Sequence, residues 1–175
     1  MERGKPDGDR LCFLKYEFLT ASISAAFQRN RLYGRSSTAK QRADFRRELR
    51  ERLEELVQKY TTHVSDTQHE ANIEDLSKVL SGRAFLRGDK FRIGTCQKAI
   101  NLYLKYLWCV GAIPEPPHCP FDGRVLKALG SHVNWTELDS IEVYRGLVKA
   151  AREQAMRDGV SIPVWELKHF NAWRL

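Results

Sequence analysis

A lysine facing a cleft becomes a nucleophile once its amine is neutral, and burial or a neighbouring cation lowers its pKa toward that state. Lys98 and Lys105 lie two turns apart on one helical segment, so Lys105 is placed to supply the second charge. Asp122, at the entrance to the next helix, is the natural carboxylate partner for Lys98. On residue type alone a plainer arrangement has the stronger claim: both lysines snorkel to the surface and Asp122 only caps its helix.

The elements that must position these residues run from Phe91 to Leu126. A helix is expected from Thr95 to about Val110, then a proline-rich crossing (Pro114, Pro116, Pro117, Pro120), then a second helix starting at Asp122. Projected at about 100° per residue, Ile100, Tyr103, Leu104 and Leu107 share one side of the first helix, with Ala99 and Val110 at its margin. Lys98, Asn101, Leu102, Lys105 and Cys109 take the other. A surface helix carries more charge than this on its outer face. The projection therefore predicts a central helix packed on both sides, with the two lysines looking into a cleft.

Just upstream, residues 83–93 form a loop or small hairpin carrying Arg83, Arg87, Lys90 and Arg92 against Asp89. Cations beside a helix N-terminus suit phosphate, and a solvated loop is an even alternative. Trp135 and Trp173 are candidates to stack on a nucleobase, although tryptophans more often fill a core. His118-Cys119 raises the question of a metal, but His63, His69, His132 and His169 fall at no recognised ligand spacing, so no metal and no cofactor are expected.

The remaining chain reads as helices throughout. Residues 1–9 are expected to be a disordered polar tail and residues 10–175 a single all-α domain of six or seven helices around the one near 95–110. Leu11–Arg31 is apolar at helical spacing, and Tyr33-Gly34-Arg35-Ser36-Ser37 breaks it. Thr38-x-x-Gln41 is a capping box opening an amphipathic helix through Phe45, Leu49, Leu53, Leu56 and Tyr60. Its mixed-sign outer face reads as solvated. Thr67-x-x-Glu70 is expected to cap a shorter helix ended by Gly82; Ser140–Arg157 and a segment capped by Ser161 supply the last two.

The 42% apolar fraction is enough for a core, and the formal charge of +7 points toward a polyanion. Cys12, Cys96, Cys109 and Cys119 have no C-x-x-C spacing and read as reduced thiols. With no signal peptide and no apolar run of membrane-spanning length, a cytoplasmic protein is expected, with no membrane partner.

Gln97-Lys98-Ala99-Ile100-Asn101, followed by the crossing into Pro120-Phe121-Asp122-Gly123-Arg124-Val125, resembles the lysine helix and P-x-D helix of the helix–hairpin–helix DNA glycosylases. It looks most like the archaeal 8-oxoguanine branch. The resemblance spans roughly residues 91–126. It implies a base-excision glycosylase, with or without lyase activity, acting on DNA. Lys98 matches the lysine that attacks C1′, and Asp122 the aspartate that stabilises the developing positive charge or moves protons. Gln97, Asn101 and Lys105 are then supporting residues, and Arg83, Arg87, Lys90 and Arg92 hold flanking phosphates. The alternative is a non-catalytic helical protein, a nucleic-acid- or protein-binding component of a mobile-element or defence system.

Overall fold

A computed structural model describes residues 8–172, which form seven α-helices and, among the described residues, no strand. They are α1 (Gly8–Phe27), α2 (Ala39–Val57), α3 (Asp66–Leu80), α4 (Ile93–Cys109), α5 (Gly123–Ala128), α6 (Ile141–Arg157) and α7 (Ile162–Ala172). The backbone of 83–93 is a loop with a 3-10 turn at Arg87–Asp89, joined to the α1–α2 turn by a single antiparallel bridge between Tyr33 and Leu86.

Local signals explain most boundaries. Thr38 and Gln41 form the expected capping box, and Ser140 caps α6. α3 starts one turn's fraction earlier than expected: the side chain of Ser65, not Thr67, accepts from the Gln68 N–H. α1 begins at Gly8, inside the stretch expected to be a tail, with Asp9 in its first turn where a carboxylate favours the helix dipole.

α4 is the central helix. It packs against α1, α3 and α6, and its buried positions occur all round, including Gln97 as well as Asn101 and Lys105 from the side expected to line a cleft. Phe18 of α1 stacks on Tyr106 with ring centroids 5.0 Å apart. The helix starts two residues before the expected Thr95. At Gly94 an added Cβ would lie 1.8 Å from the carbonyl oxygen of Trp135, so only glycine lets the 131–140 loop press against the first turn of α4. The Gly94 N–H donates to the Leu138 carbonyl at 2.8 Å and fixes that contact.

Candidate active site

Gln97 joins the two halves of the site. Its Nε2 donates to the Phe121 carbonyl at 2.7 Å and to the Gly94 carbonyl at 3.0 Å, while its Oε1 accepts from the Phe121 N–H at 3.0 Å. One side-chain amide thus grips both backbone groups of the residue preceding Asp122. Asp122 is held against Lys98, the next residue after Gln97, and the Lys98 Nζ to Asp122 Oδ2 distance is 3.6 Å. The other oxygen of Asp122 caps α5, accepting from the N–H groups of Arg124 and Val125. Both readings of Asp122 from sequence therefore apply together: one oxygen caps and the other faces the lysine.

The Lys98 side chain is only 13% exposed, against 32% for Asp122. Burial pushes the Lys98 pKa down, Asp122 opposes this, and Arg29 adds a further downward push. The face of Trp135 lies 4.3 Å from the ammonium and also favours the charged form. Arg29, not Lys105, is the second cation at this lysine. Lys105 lies about 10 Å along the helix axis and is committed elsewhere. It makes a buried ion pair with Glu166, 2.6 Å at the shorter contact, beneath the ring of Phe170. Burial raises the Glu166 pKa and Lys105 opposes that rise.

Trp135 is buried at 9% exposure, so it covers the lysine rather than offering a free stacking face. Trp173, the other stacking candidate, lies outside the described residues.

The four cations of the 83–92 loop meet carboxylates that are remote in sequence. Arg83 bonds Glu48 at 2.8 Å, Arg87 bonds Glu137 at 2.8 Å, Lys90 bonds Asp139 at 2.5 Å, and Arg92 approaches Glu137 at 3.6 Å. The one-sided charge of the segment is thus neutralised by α2 and by the 131–140 loop. No local spacing could reveal that. Exposed pairs such as Arg87–Glu137 contribute about 0–1 kcal/mol each, so they tie the two loops together only weakly.

Asn101 lies at the centre of a buried polar chain. Its Nδ2 donates to Gln97 Oε1 at 3.2 Å and to the Tyr144 hydroxyl at 3.1 Å, and its Oδ1 meets His69 Nε2 at 2.8 Å. Because the Phe121 backbone fixes which end of Gln97 is oxygen, every later member has one consistent assignment. His69 must carry its proton on Nε2 and accept from Tyr60 at Nδ1, 2.6 Å away. Tyr144 accepts from Asn101 and donates to His118 Nδ1 at 2.8 Å. The Nε2 of His118, fully buried, then faces Asp66 Oδ1 at 3.4 Å, and Asp66 pairs with Arg152 at 2.5 Å. The chain ends at a cleft of about 320 Å³ between α3, the proline crossing and α7. His118 is thereby a structural link. Its neighbour Cys119 is buried, its thiol pushed well up by that burial, and among the described residues no group of His, Cys, Asp and Glu is placed to hold a metal ion.

Burial, followed by the neighbouring His118, pushes the His69 pKa from 6.5 to about 3. The His118 imidazole, followed by Arg152, pulls Asp66 from 3.8 to about 2. Between about pH 6.5 and 3 the unfolded chain binds a proton at His69 that the folded chain refuses, so stability falls as pH falls. Asp66 acts in the same direction below its ordinary value, since its folded carboxylate stays ionised longer. The raised Glu166 pKa acts the other way and reduces the effect, and the denaturant midpoint is still expected to drop between about pH 7 and about pH 4.5 with an unchanged slope; equal midpoints would show that the His69 shift does not exceed that of Glu166.

Sequence reasoning missed Arg29 and its neighbours, although a signal was present: no Asp or Glu occurs between Glu17 and Asp44, while Arg29, Arg31, Arg35, Lys40 and Arg42 do. Asn30 anchors this turn to the central helix by donating to the Thr95 hydroxyl. Among the described residues, no helix is long and apolar enough to cross a membrane. No family model, no curated protein and no solved structure matches the chain.

Proposed function

We propose that this protein is a base-excision DNA glycosylase in which Lys98 is the nucleophile and Asp122 the electrostatic partner. The observation that carries the reading is the pairing itself: an amine withdrawn from water, its pKa pushed down, 3.6 Å from a carboxylate whose position is set by the Gln97–Phe121 clamp. The glycosidic bond is shielded in stacked DNA, so the target nucleotide must be extruded before the amine can reach it. Lys98 Nζ then forms a bond to C1′ as the C1′–base bond breaks. The base leaves with the electron pair and takes a proton, and Asp122 faces the positive charge that develops on the sugar. The nitrogen gives up a proton, its lone pair forms the C1′=N imine as the C1′–O4′ bond breaks, and O4′ keeps that electron pair and takes up a proton.

Trp135 stands over the amine, so this chemistry requires the 131–140 loop to move aside. The movement must break the weak exposed pairs Arg87–Glu137 and Lys90–Asp139, and also the Gly94 N–H bond to the Leu138 carbonyl and the packing of Trp135 and Leu138. The same covering tryptophan favours a second reading, a helical DNA-binding protein whose lysine is a packed structural cation. Incubation with duplexes bearing a panel of damaged or modified bases separates the two. Release of a base, with the abasic product beside it, supports the glycosylase. Release from none of them, together with retained DNA binding, leaves the binding protein.

A further inference from the structure

We propose that Arg29, Arg31 and Arg35, at the turn between α1 and α2, form the surface on which the DNA backbone docks; the proposal rests on the reading of the protein as a DNA-acting enzyme. A cleft of about 520 Å³ opens there, lined by Asn30, Arg31, Tyr33, Arg35, Arg42 and Arg87. Arg29, Arg31 and Arg35 are exposed, and among the described residues no carboxylate lies within ion-pair distance of any of the three. The contrast with the 83–92 loop is direct, since each cation there has a carboxylate against it. Free guanidinium forks around a concavity match phosphate oxygens two at a time and strongly favour an anionic polymer as the occupant.

Two further features point the same way. Arg29 holds a left-handed backbone, φ 58°, at the end of α1, a position where glycine or asparagine sits without strain. Strained backbone positions of this kind cluster at functional sites, which makes the Arg29 side chain a candidate contact. Arg29 is also the cation close enough to lower the Lys98 pKa, and Asn30 is bonded to the first turn of the helix that carries Lys98. The basic turn therefore adjoins the candidate nucleophile, on the side from which a flanking phosphate would set the register of an extruded nucleotide.

Arg29→Gly tests the proposal without endangering the fold, because glycine relaxes the left-handed backbone as it removes the charge. The triple variant Arg29→Gly/Arg31→Gln/Arg35→Gln and the control Arg83→Gln/Lys90→Gln, two ion-paired cations outside the cleft, are titrated with a mixed-sequence DNA duplex carrying an abasic site, across a range of salt. Each lost phosphate contact lowers the log–log slope by about 0.9, so the triple variant should flatten it by about two to three, while the ion-paired control changes it by less than one contact. Thermal unfolding confirms that both are folded. A triple variant with the wild-type slope overturns the surface, as does a slope lost in the control instead. Competition by polyglutamate as effective as by DNA of equal charge also overturns it, since the arginines would then serve an acidic protein. Base release by a wild type whose triple variant binds normally sinks the surface and spares the catalytic reading. A flattened slope with no base release by wild type from any duplex does the reverse.

Discussion

Asp122→Asn is expected to slow base release by about 100- to 1000-fold while leaving the protein folded. Asparagine caps a helix about as well as aspartate, so the contacts to the Arg124 and Val125 N–H groups persist and the cost to stability is confined to the counter-charge lost beside the largely buried Lys98. What disappears is the negative charge 3.6 Å from Lys98, which in the proposed reaction faces the sugar as it becomes positive. Loss of one preorganised electrostatic contact of this kind costs about 3–4 kcal/mol of transition-state stabilisation. Single-turnover base release is the measurement, because it isolates the chemical step from product release. An effect on affinity without one on the chemical step would reduce Asp122 to a helix cap.

Asn101→Leu is expected to act on stability rather than chemistry, at a cost of about 3–5 kcal/mol. The leucine keeps the branched shape with bulkier ends, leaves the His69 Nε2–H buried without an acceptor, a penalty of about 1–3 kcal/mol, and removes two further hydrogen bonds worth about 1 kcal/mol each. Domains of this size are stable by about 5–15 kcal/mol in total, so the variant should lose a large share of its stability. Tyr144→Phe removes one link of the same chain and is expected to cost less. The two losses should not add, since they share the Asn101–Tyr144 bond. Denaturant melts of the single and double variants check both statements; simple additivity would mean that the chain is a set of independent contacts.

The helical skeleton was legible because its signals are local. The capping box at Thr38 and Gln41 and the all-round apolar character of α4 specify elements without any knowledge of their neighbours. The pairing of Lys98 with Asp122 was half legible: motif and spacing brought them to one place, but the Gln97 clamp on Phe121 depends on a 24-residue crossing. Charge partners were not legible. Lys105 finds Glu166 across 61 residues and Lys90 finds Asp139 across 49, so a composition count over the 83–93 loop could not show that its cations are neutralised. The place of Trp135 was not legible for the same reason, because the absence of a Cβ at Gly94 is what lets its loop settle over the lysine. The acid-free run that includes Arg29, Arg31 and Arg35 needed only a scan for missing carboxylates.

In the proposed reaction Lys98 bonds covalently to the sugar. Borohydride added to wild-type protein turning over a substrate duplex reduces the imine to a permanent secondary amine, and digestion with mass analysis then reads which lysine carries the sugar remnant. The remnant is expected on Lys98, and Lys98→Gln should lose the crosslink while retaining DNA affinity. Lys105→Gln should still crosslink, because Lys105 faces Glu166 and not the site. A crosslink that survives Lys98→Gln, or a remnant carried by Lys105, would contradict the assignment of Lys98 as nucleophile.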